Sequence, residues 1–110
     1  MTTKSRQHLP VGTVVNVLDE SVDVSIIGQF PIVDNDGNKG YYDFVGVILP
    51  IGYDAKNLLF FNKEDINSVI FLGYVDIEFQ NFLREAKTFE ESTKLSKLKA
   101  KKFRGDQHEL

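Results

Sequence analysis

The sequence predicts an α+β domain: a small twisted antiparallel sheet or partly open barrel of about five strands, followed by a C-terminal amphipathic helix. Short runs of β-branched and aromatic residues fill the first two thirds of the chain, separated by Gly, Pro, Asn and Asp. Near Asp76 the apolar residues change to a helical spacing. At 110 residues and 42% hydrophobic content, the chain has the length and composition of one domain with one core.

The predicted strands follow one another between turn signals. Residues 13–18 and 23–27 form the first two, and Gly28 marks a bulge or a close approach of backbone. Residues 34–40 are the strongest turn signal, because Asn, Asp and Gly tolerate the positive φ that tight hairpins need. The remaining strands are predicted at residues 41–49, 58–61 and 69–72, with Asn62 capping a short helical turn after the fourth.

The helix is predicted from an apolar stripe with Asp76 as its N-cap. Phe79, Phe82, Leu83 and Ala86 stand at i, i+3, i+4 and i+7, which places them on one face. The predicted organisation is a flexible tail at residues 1–8, one globular domain at 9–92, and a basic helical extension or disordered tail at 93–110.

Charge divides the chain into an acidic body and a basic end. Residues 1–93 carry 7 basic and 14 acidic side chains, a net of −7, whereas residues 94–110 carry 6 and 2, a net of +4. An acidic body disfavours binding to phosphate backbones. Weak nucleic-acid binding through the basic end stays open as an alternative, although a solvated helix end explains the same lysines.

Residue chemistry predicts neither an enzyme nor a cofactor, metal or small-molecule site. The chain has no cysteine, and its two histidines, His8 and His108, lie near its ends, where we expect flexibility. The glycines match no nucleotide-binding motif, and residues 34–45 lack the glycine and glutamate positions of a calcium loop. No apolar run reaches the roughly 18–20 residues of a membrane span, and no signal peptide precedes the domain, so we expect a cytoplasmic protein.

The helix stripe also suggests a surface for a protein partner. Packing on its own sheet is the favoured interpretation, but one flank can cover the sheet while the other binds a partner. A second copy pairing along an exposed edge strand, which would give a homodimer, is a further alternative. The candidate partner-binding residues are Phe79, Phe82, Leu83, Phe89, Leu95 and Leu98.

Six short segments in a fixed order resemble a bacterial family, the domain of unknown function 4176. Together they span residues 9–74, and the resemblance extends to about Phe89. Typical members have His directly after the Asn that corresponds to Asn62, whereas this chain has Lys63 there. The six segments are residues 9–15 (LPVGTVV), 26–28 (IIG), 42–47 (YDFVGV), Pro50 with Gly52, 61–66 (FNKEDI) and 71–74 (FLGY).

The resemblance implies an accessory role in type VII secretion. Members are small cytoplasmic proteins of Gram-positive bacteria, encoded beside type VII secretion genes and LXG-type toxins. It therefore implies an adaptor or chaperone that binds an LXG toxin or a small helical targeting partner and helps to deliver it to the secretion machine. The family has no established catalytic residues to carry over. An immunity protein that blocks the toxin's catalytic domain is the alternative, since an acidic body suits a basic nuclease toxin.

Overall fold

The computed structural model describes residues 7–18 and 21–100, and it confirms the predicted α+β class. A five-stranded antiparallel sheet, a smaller three-stranded sheet and one long helix make up this part of the chain, in which the sheet does not close into a barrel. The elements are β1 (Val14–Val17), β2 (Asp23–Gln29), β3 (Ile32–Asn35), β4 (Asn38–Tyr41), β5 (Phe44–Ile48), β6 (Leu59–Phe61), β7 (Ile66–Phe71), α1 (Ile77–Ser92) and β8 (Ser96–Lys97).

The larger sheet carries the hydrophobic core on one face. Its strand order is β6-β5-β2-β1-β7, so β6 and β7 are the two edges. Alternate residues of β1 and β2 are fully buried, which is the period of two that a half-covered sheet requires. The buried core residues are Leu9, Val15, Val17, Val24, Ile26, Phe44, Leu59, Phe61 and Ile66.

Gly28 marks a bulge, as predicted. The register between β2 and β5 shifts between Ile26 and Gly28, so that Ile27 is an extra residue in β2. A Cβ atom on Gly28 would lie 2.8 Å from Cγ1 of Val45, so a larger residue here would push the two strands apart.

The smaller sheet begins with the predicted hairpin. Asp36 and Gly37 both have positive φ, 54° and 87°, as a two-residue turn between twisted strands requires. Gly37 N donates to Asp34 Oδ1 at 2.9 Å and closes the turn.

The strand predicted at residues 41–49 forms as two strands in different sheets. β4 ends at Tyr41 and β5 begins at Phe44. Between them, Tyr42 N donates to Pro31 O at 3.1 Å and Asp43 O accepts from Phe30 N at 3.0 Å. The chain therefore crosses from one sheet to the other at Tyr42 and Asp43.

Helix α1 begins at the predicted cap and stops at Ser92. Asp76 Oδ1 accepts from Phe79 N at 2.9 Å, which satisfies a free backbone donor of the first turn. After Ser92 the chain turns extended at Thr93, and residues 93–100 form no helical extension. Residues 101–110 of that predicted segment lie outside the described residues. Within the described ranges, no helix is long and apolar enough to cross a membrane.

The segment of residues 93–100, which we call the C-terminal strap, adds a parallel strand to the smaller sheet. Its strand β8 pairs with β4, with Gly40 opposite Ser96 and Tyr41 opposite Lys97. A Cβ on Gly40 would lie 2.6 Å from both Ser96 O and Leu98 Cγ, so the strap packs closely only because residue 40 is glycine.

Candidate functional site

Asp43 is the centre of a buried network of charged and polar groups. It lies at the crossover between the sheets, and its side chain is 0% exposed. Its Oδ2 accepts from Lys63 N at 2.9 Å and lies 2.9 Å from Lys97 Nζ. Its Oδ1 has no hydrogen-bond partner among the described residues. A buried carboxylate needs counter-charges such as the ammonium groups of Lys63 and Lys97, because its desolvation is otherwise very costly.

Asn62 joins the crossover to the C-terminal strap. Its Oδ1 accepts from Asp43 N at 2.9 Å, and its Nδ2 donates to Leu98 O at 2.8 Å. The short helical turn predicted after Asn62 is present as a 3-10 turn at Lys63–Asp65. Asp65, the last residue of this turn, caps it, because its Oδ2 accepts from Asn62 N at 2.8 Å. The Asn62 side chain is therefore available to hold the strap.

Lys63 connects the network to the N-terminal segment and to α1. Its ammonium lies 2.8 Å from Glu90 Oε2 and 3.1 Å from His8 Nδ1. It lies 3.6 Å from Asp43 Oδ2. The lysine thus holds together three elements that are far apart in sequence.

His8 is buried, contrary to the flexibility that we expected of it. Residues 1–6 of the predicted tail and His108 lie outside the described residues. The His8 ring lies 4.7 Å from the Phe30 ring and 4.4 Å from that of Phe44, between centroids. Gln29 donates to Leu9 O at 2.9 Å, which turns its Oε1 toward His8 Nε2 at 2.7 Å. Burial, and then the charge of Lys63, lowers the pKa of His8 from 6.5 to about 4. The imidazole is therefore neutral, donating from Nε2 and accepting at Nδ1.

The network resembles a metal site in spacing, but a lysine ammonium lies within it. Ligand atoms of His8, Asp43 and Glu90 lie within 4.8 Å of one another. Lys63 Nζ is within 3.6 Å of an atom of each. A metal ion would have to displace this ammonium, so the arrangement functions as an ion-pair network that fastens elements together.

Lys97 ties the C-terminal strap to the same carboxylate. Burial alone would lower the pKa of Lys97, but its hydrogen bond to Asp43, the charge of Asp43 and the charge of Glu64 together raise it above its ordinary value. A pocket of about 300 Å³ opens beside the network, and two of the residues on its wall, Glu90 and Lys63, are paired with each other. Its lining residues are Gln7, His8, Lys63, Leu83, Ala86, Lys87 and Glu90.

The predicted partner-binding residues of the helix form one face that packs partly on the domain itself. The Phe82 ring lies 5.8 Å from His8 and 6.2 Å from Phe30. The Phe89 ring lies 4.9 Å from Phe30 and 5.2 Å from Tyr41.

The remaining predicted residues divide between the helix and the strap. Phe79 stacks on Phe82 at 6.0 Å, and Leu83 lines the pocket. Leu95 and Leu98 lie apart from this face, on the C-terminal strap. All six predicted residues are half-buried, and their role toward a partner stays a prediction.

A larger uncovered surface lies on edge strand β7 and the segment that leads to α1. We call it the apolar ribbon. Sequence reasoning assigned residues 69–72 to the sheet as a strand and so missed their exposure. Four consecutive apolar residues without polar alternation are typical of a strand that is buried on both faces, so this pattern did not indicate their exposure. The ribbon consists of Val69, Ile70, Phe71, Leu72, Tyr74, Val75 and Ile77, which are exposed by 36, 53, 62, 54, 78, 41 and 73%.

Comparison with known proteins gives one result. The family model of a domain of unknown function (DUF4176) matches residues 8–82. This range includes the crossover, Lys63 and the apolar ribbon, and it ends before Glu90 and the C-terminal strap. No curated protein and no solved structure shows significant similarity to the chain.

Proposed function

The chain belongs to the DUF4176 family, and we propose that it is a non-enzymatic adaptor or chaperone for an LXG-type toxin in type VII secretion. It binds the toxin, or the small helical targeting partner of that toxin, in the cytoplasm and accompanies it to the secretion machine at the membrane. The family resemblance supplies the setting of this proposal. The observation that supports the binding of a protein partner is the apolar ribbon.

The size of the apolar ribbon supports a protein partner. At roughly 150–200 Å² for a fully exposed large side chain, the seven exposed fractions amount to roughly 700 Å². The largest apolar patch of a typical monomer is about 300–600 Å², and one side of a standard protein interface buries about 800 Å². The exposed apolar area of the whole segment is therefore close to the area that one partner of a specific complex buries.

The charged network supports a binding role rather than catalysis. Both ring nitrogens of His8 are engaged, and Lys63 is shared among three acceptors. A general acid or base needs a position free to exchange a proton with a substrate. Apart from Asp43 Oδ1, which is buried and has no hydrogen-bond partner among the described residues, the polar atoms named here join chain segments to one another.

Co-purification with the two halves of a toxin tests the proposal. The tagged protein is mixed separately with the N-terminal LXG half and the C-terminal half of an LXG toxin from the same cells, with and without the small helical partner of that toxin. We expect capture of the N-terminal half or of the helical partner. Phe71→Asp should abolish capture, whereas Ile51→Asp, at a residue 73% exposed outside the ribbon, should retain it.

Other results would replace or overturn the proposal. Capture of the C-terminal half, with loss of toxicity, would identify an immunity protein instead. Capture of neither half at physiological salt would reject both functions.

A further inference from the structure

The open edge of β7 is a poor template for another strand. β7 pairs only with β1 among the described residues. Its register shifts between Val14 and Val15 and again between Asn16 and Val17, so that Asn67 and Ile70 are extra residues in β7. Bulges twist a strand and break the regular spacing of its main-chain groups, and native sheets use them to prevent pairing at edges. A partner on this edge therefore binds through side chains rather than through a main-chain ladder.

The sequence around the apolar ribbon contains acidic residues and no basic ones. Residues 9–38 and 66–83 include no lysine and no arginine, and these stretches supply β1, β2, β3 and β7 and the start of α1. Asp76 lies within the ribbon segment and Glu78 follows it. Two copies joined through their ribbons would bring these like charges together. The charge distribution favours a basic partner over a second copy.

We infer that the apolar ribbon binds a basic amphipathic helix, which packs its apolar stripe on the ribbon and directs lysine or arginine toward the acidic residues beside it. From Val69 to Ile77 the segment spans at most about 26 Å at 3.3 Å per residue. A helix of about 17 residues has the same length at 1.5 Å per residue, and its contacts would recur at i, i+3 or i+4 and i+7. This inference rests on the proposed function, because it names the segment of the partner that the adaptor holds.

Site-specific photocrosslinking in the cells that encode the protein tests the inference. The photoreactive p-benzoylphenylalanine is placed at Phe71 or at Tyr74 in the full chain, and at Tyr53 as a control, because Tyr53 is an aromatic residue 70% exposed outside the ribbon. Crosslinked peptides are identified by mass spectrometry. We expect both ribbon positions, but not position 53, to crosslink to one segment of a second protein, with apolar residues at helical spacing and a positive net charge.

A synthetic peptide of the crosslinked segment gives the quantitative test. We expect its affinity for the purified protein to fall at least tenfold in Phe71→Asp and to remain unchanged in Ile51→Asp. Raising the salt concentration should also weaken binding, because charge contributes to it.

The other outcomes overturn the inference and differ in what they imply. A crosslink to a second copy, to residues 101–110 of the same chain, or to an acidic or strand-patterned segment would assign the ribbon another occupant. Capture of the toxin or its helical partner without ribbon crosslinks would retain the adaptor function and move its site elsewhere. Ribbon crosslinks to a basic helix of a protein unrelated to secretion would retain the docking mode and reject the adaptor function.

Discussion

Asp43 is a fully buried carboxylate whose charge is balanced by two lysines from distant parts of the chain. In Asp43→Asn the side chain still accepts from Lys63 N, but both ammonium groups lose this counter-charge. Breaking a buried ion pair by removing one partner costs several kcal/mol. Because the lysines are 18% and 29% exposed, we expect the free energy of unfolding to fall by about 3 kcal/mol, at the lower end of that cost. Urea denaturation measures this as a lower midpoint at an unchanged slope.

Glu64→Gln is the matched control for Asp43→Asn. Glu64 lies 3.3 Å from the same Lys97 ammonium, but its side chain is 56% exposed. Exposed ion pairs contribute at most about 1 kcal/mol, so the free energy of unfolding should change little. Equal losses in the two variants would show that the burial of Asp43 does not determine the strength of its pairing.

His8 predicts a loss of stability on acidification. Its pKa is about 4 in the folded protein and 6.5 when unperturbed, so the unfolded chain binds the proton more readily. The stability that comes from the neutral ring is complete above pH 6.5 and is lost as the pH falls through about 4. The loss of unfolding free energy amounts to at most about 3.5 kcal/mol, at about 1.4 kcal/mol per pKa unit.

The contribution of His8 is isolated by comparing how steeply the free energy of unfolding falls with pH in two proteins. The free energy of unfolding is measured by urea denaturation from pH 7 to pH 4.5 for the wild type and for His8→Gln. We expect the variant to lack the part of the decline between pH 6.5 and 4.5 that the wild type shows. Parallel curves would assign the acid sensitivity to the carboxylates instead.

At the scale of elements, the C-terminal strap contributes a counter-charge and a strand to the domain. Lys97 binds Asp43, and Leu98 bonds to both Tyr41 and Asn62 through its main chain. Deletion of residues 93–110 should lower the midpoint of thermal unfolding strongly, by about 10 °C or more for a loss of about 3 kcal/mol.

A shorter deletion tests whether the strap itself is responsible. Removal of residues 101–110 keeps Lys97, Leu98 and Ala100, which packs against the core, and should leave the midpoint nearly unchanged. A similar decrease in both truncated proteins would place the stabilising contacts beyond Ala100.

The elements that the sequence predicted are those with strong local signals. The hairpin turn at Asp36 and Gly37, the bulge at Gly28 and the cap at Asp76 each depend on a few neighbouring residues. The division of residues 41–49 between two sheets and the two-residue strand β8 depend instead on Asp43, Asn62 and Lys97 meeting across the fold. No periodicity in the sequence encodes such contacts, so the sequence predicts five strands where the described residues form eight.

At the scale of the whole molecule, the same limit applies to the candidate site. The sequence placed an apolar stripe on the helix, and this stripe lies partly against His8, Phe30 and Tyr41. The sequence does not show that β7 is an edge strand, because edge positions depend on strand order. The apolar ribbon becomes visible only when β7 is placed beside β1 alone.

If the apolar ribbon is uncovered in solution, its residues contribute little to folding. The double substitution of Phe71 and Leu72 by serine should therefore change the free energy of unfolding by no more than about 1 kcal/mol, as surface substitutions do. Phe61→Ala, at a core residue 1% exposed, should cost about 3–5 kcal/mol.

The double variant should also elute earlier from a hydrophobic interaction column, because it presents less apolar surface. A loss of stability as large as that of Phe61→Ala would mean that another part of the chain covers the ribbon in the isolated protein, and this surface would then not be free to bind a partner.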